Sequence, residues 1–125
     1  MGHIEVDVVI SDVDGKRSAK ARALVDTGAT LSIIPSSVFE ELDLKFSGEK
    51  VKVSTAKGSA RLNLTYAWVE VAGKKRLIPA LVSRDVNRVL LGVTALESMQ
   101  LKVNPITEKL EEHPALLYAG SRRGD

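Results

Sequence analysis

The alternation of apolar and polar residues constrains this fold more than any other sequence feature. Apolar side chains occupy every second position in segments 4–10, 19–25 and 60–68, as in strands that bury one face. Turns that contain Gly15, Gly58 or Gly73 separate such segments; glycine suits them because it adopts the positive φ of tight turns. The pattern therefore predicts a mostly β fold, a small closed β-barrel with one or two short helices.

Prolines, a capping-box spacing and paired aromatic residues predict further details of the helices and strands. Pro35 opens a helix in which Ser37 and Glu40 have the spacing of a capping box. Pro79 indicates an edge strand or a bulge, and Tyr66 and Trp68 share a strand face that we expect to be buried. The predicted strands cover 4–10, 16–25, 31–34, 49–55, 59–71, 76–82, 89–92 and 101–103, and the predicted helices follow Pro35 and span 94–99.

Length, charge and cysteine content narrow the classes of function. The chain has 125 residues, which is the size of one compact domain, and we predict a single domain over 1–125. A net charge of +2 argues against a nucleic-acid-binding module held by bulk charge. The apolar runs are too short to cross a membrane. Cysteine is absent, which excludes thiol catalysis and fits a cytoplasmic location.

The motif Asp26-Thr27-Gly28-Ala29 occurs once, directly after an apolar pair. Asp and Gly are turn residues, so the tripeptide alone also fits an ordinary turn. One carboxylate cannot be general acid and general base in the same step, whereas two facing carboxylates can divide these roles. If the motif is catalytic, two chains must therefore meet at Asp26.

Metal and cofactor sites have weaker signals. Segment 12–15 begins like a calcium-binding loop, but Lys16 stands at the third ligand position and no Glu closes the loop. His3 and His113 are isolated and have no cysteine to join them, so a zinc site is not expected. The glycines match no phosphate-binding loop. The sequence therefore implies neither a metal nor a cofactor.

Two motifs and their order resemble the retropepsin-like aspartic proteases, which are single-domain homodimers. The first is Leu24-Val25 followed by Asp26-Thr27-Gly28-Ala29, and the second is Leu90-Leu91-Gly92 followed by a short helix. A glycine-containing hairpin, 51–64, lies between them, where this family carries its flap. The resemblance covers 4–103 and leaves 113–125 as a tail. It is nearer to the cellular and prokaryotic members than to the retroviral ones.

The resemblance implies a retropepsin-like barrel and a role for each residue of the first motif. Asp26 would be the catalytic carboxylate. Thr27 would hydrogen-bond through its hydroxyl to the partner chain, and Gly28 would let the substrate backbone approach. Gly92 would let its strand pass close behind the catalytic loop. The residues implied in substrate binding are Ala29, Ile34, Val53, Ala56, Lys57, Gly58 and Leu90.

The implied function is an aspartic endopeptidase that cleaves peptides or unfolded proteins. The two Asp26 carboxylates of a homodimer would activate water. As is established for aspartic proteases, such a pair shares one proton because like charges so close repel each other. Two alternatives stay open. One is a non-catalytic retropepsin-like dimer that binds extended peptides, and the other is an unrelated small β-barrel interaction domain.

Overall fold

The computed structural model describes residues 4–114. His3 and segment 115–125, most of the predicted tail, lie outside the described residues. Within the described range, no helix is long and apolar enough to cross a membrane. The strands are β1 Ile4–Ser11, β2 Ser18–Val25, β3 Ser32–Pro35, β4 Phe46–Thr55, β5 Gly58–Val71, β6 Lys74–Ser83, β7 Leu90–Leu91, β8 Leu101–Asn104 and β9 Lys109–Glu112; the helices are α1 Ser36–Glu41 and α2 Val93–Ser98.

Six strands close into a barrel. Their order is β1-β2-β7-β3-β6-β5, and the pairing of Val9–Ser11 with Trp68–Glu70 closes β5 onto β1. β4 pairs with the other half of β5 and extends that hairpin beyond the barrel. The strand content of 58% of the described residues, the closed barrel and the two short helices confirm the mostly β fold that the alternation predicted.

The barrel interior is filled by alternate side chains of its strands, as the period of two requires. Val8 and Ile10 of β1 point into the same cluster as Ala23 and Val25 of β2. Residues from both helices border this cluster or belong to it, so the short helices cover the barrel. The largest fully buried apolar side chains are Ile10, Ile34, Leu42, Ile78, Leu91 and Met99, with Val8, Val69 and Val71.

In the second half of β5, the buried face is not the one that we expected. Ala67, Val69 and Val71 are buried, whereas Tyr66 is 42% exposed and Trp68 is half-buried. The expectation that Tyr66 and Trp68 lie in the core was therefore wrong. Both faces of this segment carry apolar side chains, so the period of two alone does not say which face is turned inward.

Three local features also differ from expectation. Pro35 itself occupies the N-cap of α1, with no side-chain capping bond, so Ser37 falls inside the first turn and the capping box does not form. Pro79 lies in an interior strand, but β3 pairs with β6 only from Ala80 onward, so that side of Pro79 is unpaired. Strand β9 was not predicted, because its mostly exposed sequence Lys109–Glu112 has no alternating apolar pattern.

The short strand β7 brings the two sequence motifs together. It pairs in parallel with the end of β2, through Leu24–Leu90 and Val25–Leu91, and in antiparallel orientation with β3 at Ile33. The loop 26–31 leaves β2 and enters β3 on either side of β7. The Asp26 loop and the residues after β7 are therefore neighbours in space, although they are far apart in the sequence.

Candidate active site

Backbone hydrogen bonds fix the Asp26 loop at both ends. The Asp26 N–H donates to the Leu91 carbonyl at 2.8 Å, and the Ala29 N–H donates to the Asp26 carbonyl at 3.2 Å. Farther along, Val93 and Thr94 donate to the carbonyls of Ala29 and Thr30 at 2.8 and 3.0 Å. The loop is therefore tied to β7 and to the first turn of α2 before any partner or substrate is considered.

Gly92 is the point of closest approach between the two motifs. A Cβ added there would lie 2.7 Å from the carbonyl carbon and oxygen of Leu31 and 2.9 Å from the Ala29 oxygen. These neighbours are backbone atoms, which cannot swing aside as a flexible side chain would, so a side chain at 92 requires the loop to move. This agrees with the close passage that the family resemblance implied for Gly92.

Ser32 forms a buried polar link behind the loop. Its side chain is 2% exposed, and its Oγ accepts the Gly92 N–H at 3.0 Å. A buried N–H without a partner is costly, so the hydroxyl stabilises the contact between β3 and the end of β7. Sequence reasoning did not select Ser32 for this role, and the available signal was only a polar residue at an inward position of an apolar strand.

The Asp26 carboxylate is exposed and held by its own loop. The Gly28 N–H donates to Asp26 Oδ1 at 3.0 Å. A Cβ built on Gly28 would lie 3.4 Å from the same oxygen, which is an ordinary contact. Thr27 is also exposed, and its hydroxyl has no hydrogen bond to any residue between 4 and 114. The carboxylate and the hydroxyl therefore both lie on the surface of the single chain.

A row of aliphatic side chains begins beside Asp26 on the sheet face that points away from the barrel core; its first three members are half-buried and its last two are buried. Leu24 is opposite Leu90, Leu90 is opposite Ile33, and Ile33 is opposite Leu81. Residues directly opposite each other in a sheet project to the same face. Leu64 extends the row, because it is opposite Leu81. We call Leu24, Leu90, Ile33, Leu81 and Leu64 the aliphatic row.

Of the expected substrate contacts in the barrel, Leu90 belongs to the aliphatic row but Ile34 does not. Leu90 belongs to the row and is half-buried, as is Ala29 in the loop. Ile34, however, is 1% exposed and packs in the core, so it has no surface to offer to a substrate. Its neighbour Ile33 projects to the outer face instead. A shift of one residue along a strand reverses the face, and the sequence alone did not reveal which of the two isoleucines points outward.

The remaining expected contacts, Val53, Ala56, Lys57 and Gly58, lie on the β4–β5 hairpin. Ala56 and Lys57 form a two-residue turn between the paired residues Thr55 and Gly58. The Thr55 hydroxyl accepts the Lys57 N–H at 3.2 Å and donates to the Gly58 carbonyl at 3.1 Å. Gly58 has φ +128°, which only glycine adopts readily. The structure thus places these residues in one group, separate from the group at the Asp26 loop.

An exposed ion network lies on the β1–β2 surface beside the site. Glu5, which is opposite Leu24 in the sheet, accepts from Arg88 at 3.2 Å and from Arg22 at 3.3 Å. These two guanidinium groups, Arg88 first, hold the pKa of Glu5 below its usual value. The pKa of Arg22 is raised, mainly by the Asp7 carboxylate, whose Oδ1 lies 2.9 Å from Arg22 Nη1, and to a smaller extent by Glu5. The network ties β1 and β2 to the residues just before β7.

The described residues hold no group of three or more His, Cys, Asp or Glu side chains that could bind a metal ion. In segment 12–15, the Asp12 carboxylate accepts the Arg17 backbone N–H at 2.7 Å, and this bond lowers the pKa of Asp12. The segment is a hairpin turn, with Gly15 at φ +71°. The polar groups that the described residues present at the Asp26 loop include the Asp26 carboxylate, the Thr27 hydroxyl and the Gly28 N–H.

Comparison with known proteins agrees with this geometry. Residues 12–98 match the family described as "gag-polyprotein putative aspartyl protease", and this segment contains both motifs, the hairpin and α2. The chain belongs to this family. It is therefore a protease module of the aspartic type. No curated protein matches the sequence.

A solved structure supports the assignment of the fold. EIAV protease complexed with the inhibitor HBY-793 aligns with a TM-score of 0.62 and 20% sequence identity. The alignment covers 82% of this chain and 93% of the EIAV chain. At this identity the likeness concerns the fold, and it confirms the retropepsin-like barrel. The expected nearness to cellular and prokaryotic members stays a prediction, as do the single-domain organisation and the cytoplasmic location.

Proposed function

We propose that the chain is an aspartic endopeptidase that acts as a homodimer with one Asp26 from each protomer. The observation that carries the proposal is an exposed carboxylate on a loop that is fixed from behind by backbone bonds to Leu91, Val93 and Thr94. A loop held in this way can present its carboxylate in a constant position. Each chain supplies one such group, and acid–base catalysis of peptide hydrolysis needs two.

The proposed mechanism uses water as the nucleophile. One Asp26 carboxylate accepts a proton from the bound water while the protonated Asp26 of the other protomer donates a hydrogen bond to the scissile carbonyl. Oxygen adds to the carbonyl carbon and gives a tetrahedral intermediate with no bond to the enzyme. The C–N bond then breaks as the leaving nitrogen takes a proton, and a carboxylic acid and an amine are released.

Thr27 is the residue that we propose to join the two loops. Its hydroxyl is exposed and makes no bond within the described part of the chain, so it is available to the partner protomer. Replacing Thr27 with Ala should then weaken dimerisation and activity together. Sedimentation and initial rates, measured over the same range of protein concentration, test this. Wild-type activity in the variant would exclude the proposed link.

The aliphatic row supports an extended peptide as the substrate. Leu24, Leu90 and Ile33 are half-buried and lie beside the carboxylate, where apolar side chains of a bound peptide would remove them from water. The hairpin carries Val51, Val53 and Leu62 on the face that continues into the row at Leu64. Closure of this face over a peptide would exclude water from the reaction.

A peptide-library digest at mildly acid pH tests the proposal. Wild-type chain should cleave the library, and Asp26→Asn should abolish cleavage while its sedimentation and circular dichroism stay unchanged. Asp85→Asn, which changes an exposed aspartate away from the motif, is the matched control and should cleave normally. Cleavage that survives Asp26→Asn would contradict the mechanism, and a dimer that binds peptides without cleaving them would favour the non-catalytic alternative.

A further inference from the structure

The β4–β5 hairpin has two chemically distinct faces. One face carries Val51, Val53, Ala60 and Leu62, which are opposite one another in register. The other face is entirely polar over the same stretch, because residues that alternate along a strand project to opposite sides. Its members are Lys50, Lys52, Ser54, Ser59, Arg61 and Asn63.

The polar face concentrates positive charge without compensation. Lys52 is directly opposite Arg61, and Lys50 is two residues from Lys52 on the same strand. All three are exposed, and none of them takes part in an ion pair with the described residues. Like charges directly opposite each other destabilise a sheet. We call Lys50, Lys52 and Arg61 the basic face; its arrangement lowers the stability of the hairpin rather than raising it.

The hairpin that carries the basic face also holds the net positive charge of the chain. Segment 46–64 contains Lys50, Lys52, Lys57 and Arg61 against the single acid Glu49. Its net charge of +3 exceeds the +2 of the whole chain, so the rest of the chain is slightly acidic. Glu49 precedes the stretch of the hairpin that is paired in register. An anionic partner would therefore be attracted to this hairpin in preference to the remaining surface.

We propose that the basic face is a binding surface for an acidic, extended polypeptide segment. Lys50 and Lys52 are separated by about 7 Å, the repeat of alternate residues in a strand. Alternate acidic side chains of an extended peptide have the same repeat, so the two sets of charges can pair in register. The basic face has no aromatic side chain on which a nucleic-acid base could stack, which favours a peptide over a single-stranded nucleic acid.

This binding does not depend on the proposed catalysis. The basic face is on the side of the hairpin opposite Val51 and Val53, and therefore opposite the face that continues into the aliphatic row. An acidic segment bound there would leave the apolar face free to contact a substrate. For a substrate that carries such a segment, the surface would add affinity outside the groove.

Fluorescence anisotropy at low ionic strength tests the proposal. The probe is a labelled short peptide of alternating glutamate and alanine, and the comparison probe has glutamine in place of glutamate. The wild-type chain should bind only the glutamate peptide, and Lys52→Gln/Arg61→Gln should weaken that binding about threefold to tenfold, as expected for two exposed ion pairs. Raising the salt toward about 0.15 M should weaken it further, because exposed charges are screened.

Matched controls separate this surface from bulk charge and from the catalytic site. Lys16→Gln/Lys102→Gln removes two exposed cations elsewhere on the chain and should leave the affinity unchanged. Asp26→Asn should bind the peptide as wild type does, so loss of catalysis and loss of binding are distinguished. Equal affinities in the hairpin and control variants would overturn the proposal. Binding of a labelled oligothymidylate of matching length in preference to the glutamate peptide would overturn it in favour of a nucleic-acid surface.

Discussion

The Asp26 loop and the tip of the β4–β5 hairpin are both exposed connections between strands, but they are held in different ways. The loop is fastened to β7 and α2 by backbone hydrogen bonds, and at Gly92 there is no room for a side chain. The hairpin tip is held by the side-chain bonds of Thr55 to Lys57 and Gly58 and by the pairing of β4 with β5, with no bond to the barrel within the described residues. The loop that carries the proposed catalytic carboxylate is therefore more constrained than the hairpin tip, beside which the proposed function requires a peptide to enter.

Gly92→Ala should have the largest effect, because it disturbs the tightly held Asp26 loop and leaves the hairpin tip unchanged. The added Cβ would collide with backbone atoms of Leu31 and Ala29, so we expect a loss of about 3 kcal/mol or more in the free energy of unfolding. Gly28→Ala is the matched control, because its Cβ would make only an ordinary contact with Asp26. Denaturant unfolding of the two variants provides the measurement. Equal stability of both would show that the loop is not tightly enclosed.

Ser32→Ala removes the buried partner of the Gly92 N–H and should have the next largest effect. An unsatisfied buried N–H costs about 1–3 kcal/mol, and the loop should lose its fixed position, so stability and cleavage rate should fall together. The control is Ser83→Ala, since Ser83 is also buried and its Oγ accepts the Asp85 N–H. We expect that control to lose stability and keep its rate per folded molecule. A Ser32→Ala variant with an unchanged rate would argue against a positioning role.

Gly58→Ala should act on the hairpin alone. At φ +128° an alanine is strained by about 1–2 kcal/mol. The backbone of the hairpin turn would shift to a less strained conformation, and the barrel would keep its structure. We expect KM for a peptide to rise more than kcat falls, in a steady-state assay. Gly15→Ala, at φ +71° in the β1–β2 turn, is also disfavoured and should affect stability only. Identical kinetics in the two variants would mean that the hairpin turn does not influence substrate binding.

The smallest expected effect on stability comes from the ion network at Glu5, which is opposite Leu24 in the sheet and so lies near the Asp26 loop. Because Arg88 and Arg22 lower the pKa of Glu5, the folded state gains stability above the ordinary value of 4.5 and loses it as the pH falls through the lowered pKa. Thermal unfolding of wild type and Glu5→Gln should differ slightly at neutral pH and converge in acid. A difference that grows toward acid pH would contradict this sign.

Local sequence was sufficient to predict much of the fold. Strands and tight turns follow from alternation and glycine, which depend on neighbouring residues only. The two motifs around Asp26 and Gly92 were identified through the resemblance to the retropepsin-like family, and the structure brings them together. Strand β9 could not be predicted, because its pairing with β8 depends on backbone contacts and not on an apolar pattern.

The sequence by itself determined that the chain forms short strands with a single Asp-Thr-Gly turn, because both properties are encoded within a few residues. Only the tertiary structure decided which faces are buried. β5 spans two environments: Leu62 belongs to the apolar face of the hairpin, whereas Val69, on the opposite face, lies in the barrel core. The same reason assigns Ile33 to the outer surface and Ile34 to the core. Burial depends on what packs against a strand, and that neighbour is distant in the sequence.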